Sequence, residues 1–264
     1  AALAVGGGLL IAVASPARAQ TDYYNTDSGR PLTIEDATAT ERYAFELQVA
    51  PLRLERARGG VYKWEVEPEI AYGVLPRTQI EIGVPFAFVD SGEQSGISGF
   101  SGLGISILHN LNVETRIPAL AISGSILLPV GGLAPDRAIL SAKAIATRTF
   151  QWARVHLNAQ FSFDDERSTD GSATSEIPGW LTGIAVDRAF PLRSSLLGGE
   201  VFVSEARGND ERTWNAAVGI RQQVSPAFSV DAGIGKQLTG DDRSWFITVG
   251  LARAFAIKSL LPGV

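Results

Sequence analysis

Arg154, His156, Asn158, Gln160 and Ser162 share one parity of the stretch Lys143–Phe163, and Val155, Leu157, Ala159, Phe161 and Phe163 share the other. A base, an amide and a hydroxyl on one face are the residue types of a nucleophilic hydrolase. There the base must touch the nucleophile and be oriented by a third group. The spacing argues against that chemistry within one strand. Ser162 lies six residues beyond His156, which at a rise of about 3.3 Å per residue is roughly 20 Å. A serine on a neighbouring strand would be needed, and no local motif points to one. Glu65, Glu67 and Glu69 also alternate on one strand, where neighbouring carboxylates repel rather than divide acid and base roles. His109 shares the parity of Ile105 and Ile107, which suits an interfacial position. The chain has no cysteine and two histidines, so a thiolate nucleophile, a disulfide framework and a multi-histidine metal site are unsupported. No catalytic residue, cofactor or metal is expected.

The element that carries His156 is a strand, because side chains with period two lie on opposite faces. The same alternation runs through the chain. Tyr62, Trp64, Val66, Ile70 and Tyr72 oppose Lys63, Glu65, Glu67 and Glu69; Ile80, Ile82, Val84, Phe86 and Phe88 oppose Gln79 and Glu81. Comparable sets recur at Leu120–Leu128, Trp180–Val186, Leu197–Val203, Trp214–Ile220, Val230–Ile234 and Trp245–Leu251. The connections alternate in character. Turns at Leu75-Pro76, Phe150–Trp152, Phe190-Pro191 and Ser225-Pro226 are short, whereas Asp90–Gly99, Asp164–Glu176, Glu205–Glu211 and Thr239–Asp242 are polar loops. Alternation alone fits a soluble sandwich equally well. Aromatics gathered at strand ends and the loop asymmetry favour an outer-membrane barrel. The expected fold is all-β: a single up-and-down antiparallel transmembrane β-barrel of about twelve strands over residues 43–255, with periplasmic termini. Four apolar residues break the pattern. Ile139 and Ile145 share the parity of Lys143, and Leu196 and Phe202 share the polar parity of theirs, which implies a bulge or something to pack against inside.

Residues 1–19 read as a truncated signal peptide, an apolar run ending in Pro16 and the small-x-small triplet Ala17-Arg18-Ala19. Residues 20–42 are polar, and are either a periplasmic arm or a segment within the lumen; Ile34–Arg42 carries a faint helical pattern. Residues 256–264 form a C-terminal tail. A net charge of −5, with 19% charged residues, offers no basic footprint for nucleic acid.

Three stretches carry a family resemblance: SGRPLTIEDATATERYAFELQVAPLRLER (Ser28–Arg56), ATRTFQWARVHLNAQF (Ala146–Phe161) and AVDRAFPLRSSLLGGEVF (Ala185–Phe202). They resemble the outer-membrane proteins grouped as the Putative MetA-pathway of phenol degradation family, over nearly the whole mature chain. The resemblance implies a β-barrel and passage of aromatic or other hydrophobic compounds across the outer membrane. Thr248-x-Gly250 and Phe255 resemble a barrel-assembly signal, although Arg253 stands where that signal is usually apolar.

In such a barrel the polar parity lines the lumen. Glu46, Glu65, Glu67, Glu69 and Glu81 would form an acidic wall, faced by Lys143, Arg154, His156 and Arg221, with Asn158, Glu200 and Asp231 completing the lining. These charges would either set a transverse field in a water-filled pore or close the lumen through ion pairs. The expected function is a passive channel or transporter for small hydrophobic or aromatic solutes in the bacterial outer membrane. A structural barrel without transport and, remotely, a lipid hydrolase using His156 are the alternatives. Expected partners are outer-membrane lipid, a small-molecule solute and the barrel-assembly machinery; the oligomeric state is open.

Overall fold

The computed structural model describes residues 24–56, 62–90, 96–163, 178–206, 212–240, 243–257 and 260. The signal-peptide reading of residues 1–19 lies outside them, as do six of the nine residues of the tail. Fourteen strands form one antiparallel sheet: β1 (Ala44–Arg56), β2 (Tyr62–Leu75), β3 (Thr78–Gly83), β4 (Phe86–Asp90), β5 (Ile97–Phe100), β6 (Leu103–Asn110), β7 (Ala119–Leu128), β8 (Ile139–Thr149), β9 (Arg154–Phe163), β10 (Pro178–Phe190), β11 (Ser195–Ala206), β12 (Arg212–Ser225), β13 (Phe228–Gln237) and β14 (Trp245–Ala256). Consecutive strands pair except at β3/β4 and β5/β6, where β2 pairs with β4 and β3 with β6, and β1 pairs with both β2 and β14. The ring β1-β2-β3-β6 to β14 therefore closes, as lipid demands of a strand barrel, while among the described strands β5 pairs with β4 only.

Fourteen segments make twelve walls because two neighbouring strands break side by side. β2 pairs with β3 through its second half and with β4 through its first. The break falls at Val84-Pro85, where Pro85 has no N–H to give the ladder; Val84 N–H turns to the Pro68 carbonyl instead. The adjacent strand breaks at Ser101-Gly102 between β5 and β6, and Gly102 has φ +149°, a conformation that favours glycine.

Burial is inverted relative to a soluble protein. On β9, Leu157, Phe161 and Phe163 are exposed while His156, Asn158 and Ser162 are buried. Leu120, Ile122, Ile184, Val201, Val218, Ile220, Val249 and Leu251 continue the exposed apolar surface around the barrel. Polar groups inside and an apolar band outside are what a lipid solvent demands. Aromatics rim the band at both ends: Trp64 stacks on Phe88 and Phe86 meets Phe100 edge-on at the long-loop end, while Phe45 stacks on Tyr72 and Phe255 at the other. No helix among the described residues is long and apolar enough to cross a membrane; the strands do so.

Residues 24–43 form no helix, contrary to the pattern at Ile34–Arg42. They run inside the barrel as an irregular strap whose two limbs are joined by Asp36 N–H to the Thr26 carbonyl and Thr26 N–H to Asp36 Oδ2, both 3.1 Å. The helix loses because its N–H groups find acceptors on the barrel wall.

Candidate functional site

The strap meets the wall chiefly through side chains that read its backbone. Glu200 on β11 accepts the N–H groups of Thr33 at 3.0 Å and Ile34 at 2.8 Å. Asn158 on β9 accepts Glu35 N–H at 3.0 Å and donates to the Glu35 carbonyl at 2.9 Å. Thr147 on β8 accepts Ala37 N–H, Asn110 on β6 donates to the Ala37 carbonyl, and Gln79 on β3 accepts Thr40 N–H. An extended chain carries such donors and acceptors at every residue, and burial obliges each to find a partner.

Charge fastens the strap too. Arg30 lies between Asp27, Glu46 and Asp231 at 2.5, 3.1 and 3.4 Å. Burial works against its charge, but those carboxylates and Glu69 hold its pKa above the ordinary arginine value. Arg221 on β12 donates to the carbonyls of Asn25 and Arg30 and approaches Asp27 and Asp231. Arg154 joins Asp187 on β10 to Asp36 of the strap. Lys143 reaches Glu35 at 2.6 Å.

Two of the four pattern-breaking residues pack directly on the strap's apolar clusters. Phe202 belongs to an apolar cluster with Leu32 and Ile34 of the strap, Leu181, Ala185, Ala217 and Phe246. Ile145 packs with Ala37, Leu108 and Ala121 in a second. Leu196 and Ile139 are buried as well. The parity of these side chains was readable in the sequence; what they pack on was not.

His156 sits in a row: its Nδ1 is 3.0 Å from Thr147 Oγ1 and its Nε2 is 3.0 Å from Asp187 Oδ2. Hydroxyl, imidazole and carboxylate in that order match a nucleophile, its base and an orienting acid. The setting is wrong for turnover. Thr147 already accepts Ala37 N–H, and Thr147, His156 and Asp187 are all buried beneath the strap. An ionised Asp187 can only accept, so Nε2 carries a proton toward it, and in the neutral imidazole Nδ1 is then left to accept from the Thr147 hydroxyl. The row acts as a fastening. Sequence reasoning missed Asp187 and Thr147 because they reach His156 only through the β9–β10 and β8–β9 registers.

The other half of the lumen is unfilled. A cavity of about 230 Å³ is lined by Glu67, Glu69, Glu81, Lys143, Gln160 and several serines, with Leu108, Leu127 and Ile139 as its apolar part and Ser28 and Glu35 from the strap. Glu81 accepts from Gln79 at 2.6 Å and from Ser106 at 2.8 Å. Glu67 and Glu69 lie over Gly83, which leaves room for them. Of the residues expected in the lumen, Glu67, Glu69, Glu81 and Lys143 meet at this cavity. Glu46, Arg154, His156, Asn158, Glu200, Arg221 and Asp231 meet the strap or its fastenings. Glu65 stands opposite Arg53 of β1 and outside the cavity lining. The basic residues thus pair with the strap's carboxylates and with Asp187 and Asp231, rather than across the lumen with the acidic wall. Among the described residues no group of histidine, cysteine and carboxylate side chains is arranged to hold a metal ion.

A model of the family described as Putative MetA-pathway of phenol degradation matches residues 60–255. The chain belongs to this family. A search of curated proteins returned no sequence relative. Among solved structures, this member of the MetA-pathway family is similar to the COG4313 outer membrane channel from Pseudomonas putida F1. The TM-score is 0.58 at 14% identity, covering 87% of this chain and 100% of that one. It is also similar to the KdgM porin in complex with disordered oligogalacturonate (TM-score 0.53, 11% identity, 80% and 99% covered) and to the NanC porin (0.53, 8%, 78% and 98%). At such identities the likeness is one of fold, that of an outer-membrane β-barrel.

Proposed function

We propose that this protein is an outer-membrane channel that passes small, single-ring aromatic or similarly hydrophobic solutes, its short-turn end and termini facing the periplasm. The observation that carries this reading is the half-filled lumen, where a cavity of about 230 Å³ combines carboxylate and hydroxyl groups with an apolar patch. Cavities of about 150 Å³ accept a benzene ring, so one substituted ring fits. A ring bearing a hydrogen-bond donor would meet Leu108, Leu127 and Ile139 with its face and a carboxylate with its donor. The family's description and the fold of the similar channels support the same reading.

The lining also sets a charge preference. Glu35, Glu67, Glu69 and Glu81 surround the cavity against Lys143 alone among its lining cations, a field that opposes anions. Cells lacking the protein should take up a neutral phenol several-fold more slowly than complemented cells, with little change for the matching carboxylate anion. Equal phenol uptake with and without the protein would rule the channel reading out.

A further inference from the structure

We infer that the strap is a fixed part of the conduit wall rather than a plug that leaves, and that solute passes between it and β2–β8, meeting Glu35 and Ser28 on the way. This rests on the channel reading above and adds to it the side of the lumen used and two residues that no barrel strand supplies.

The far wall is moulded to the strap. A Cβ placed on Gly219 would come within 2.7 Å of the Pro31 side chain, on Gly198 within 2.9 Å of Leu32, on Gly183 within 2.7 Å of Ile34, and on Gly233 within 2.6 Å of the Pro31 carbonyl oxygen. Real Cβ atoms essentially never come so close, so these four glycines form a track on β10–β13 against which the strap lies, with Phe202 also crowding Gly183 and Thr248 crowding Gly233. Withdrawing the strap would also open Phe202, Leu181 and Phe246 on one side and Ile145 on the other to lumen water, which apolar surface resists.

The near wall meets the strap as tightly at Gly73 on β2, where a Cβ would strike the Glu41 and Thr40 backbone of the strap; beside the cavity it is open. A Cβ on Gly104 would make only ordinary contacts, at 3.7 Å, with Glu67 and the Gly83 backbone. Lys143, which bridges the cavity to the strap, binds Glu35 at 2.6 Å and Ser28 at 3.3 Å. The strap therefore divides the lumen into a packed side and an open side, and two of its polar side chains, Glu35 and Ser28, face the open one. Glu35 and Ser28 become specificity-determining residues of the path.

The native chain has no cysteine, so single thiols report without background. Ala37→Cys and Leu32→Cys place one beneath the strap, where both native side chains are buried; Ser125→Cys places one in the cavity lining. In the folded, heat-modifiable barrel, a small water-soluble maleimide should label Ser125→Cys, and label the two strap thiols on the order of a hundredfold more slowly, since they open only by local unfolding. Labelling of Ala37→Cys and Leu32→Cys as fast as Ser125→Cys would show that the strap leaves. A protected Ser125→Cys would show that the open half is not the solvent path. Glu35→Gln should lower the cation-over-anion preference in a planar bilayer without accelerating strap labelling; an unchanged preference would remove Glu35 from the path. Absence of all conductance would instead count against the channel reading, and the labelling pattern would still decide whether the strap is fixed.

Discussion

Lys143 on β8 holds Glu35 of the strap at 2.6 Å, with both side chains mostly buried. This pair lies where the packed and open halves of the lumen meet. Removing the ammonium leaves a carboxylate partly desolvated beside Glu67, Glu69 and Glu81. Loss of one partner of a buried pair costs roughly 3–5 kcal/mol, and water in the adjoining cavity lowers that figure. Lys143→Gln should therefore weaken the barrel against urea in detergent and raise its cation preference. A variant with wild-type stability and selectivity would show the pair to be incidental.

Glu200 carries two main-chain N–H groups of the strap. Hydrogen bonds to a charged acceptor contribute about 1.5–3 kcal/mol each. Glu200→Ala should raise hydrogen exchange across residues 31–37 by at least tenfold, while Glu200→Gln, which keeps an acceptor, should recover part of the protection. Equal exchange in both variants and the native protein would contradict the assignment.

Much of this was legible before any coordinates. Period-two alternation and aromatic strand ends identified the barrel, because the pleat imposes both locally. Ile145 and Phe202, apolar on a polar parity, pointed to either a bulge or something to pack against inside, and the strap is the second. Its identity stayed hidden, since the contact from Thr33 to Glu200 spans 167 residues and has no local signature. The same holds for His156: its polar face was readable, but Thr147 and Asp187 come from the neighbouring strands. The break at Val84-Pro85 was hidden differently. Alternation continues across it from Ile80 to Phe88, so only the missing N–H of Pro85 gave a signal.

The glycine track offers a steric test. Gly219→Val should drive Pro31 from the wall, since even a Cβ would approach it to 2.7 Å. The expected result is a barrel that still migrates as a folded, heat-modifiable species, with a loosened strap and protease-sensitive residues 24–43. Unchanged protease resistance would mean that the wall adapts.

The lipid face offers a depth test. Leu157 lies mid-strand on the outer face of β9 and Phe163 at its long-loop end, both exposed. Arginine at the bilayer midplane costs about 2–4 kcal/mol, falling to about 0–1 near the interface. Leu157→Arg should thus destabilise the refolded barrel in lipid far more than Phe163→Arg. Equal effects would contradict the assigned membrane position.

The reversal potential of the reconstituted protein in a potassium chloride gradient tests the central claim most directly, that the open half of the lumen is a solute path governed by its carboxylates. The native protein should conduct with a preference for potassium, and the Glu67→Gln, Glu69→Gln, Glu81→Gln triple variant should lose most of that preference while still conducting. A native channel that prefers chloride, or a triple variant with an unchanged reversal potential, would contradict it.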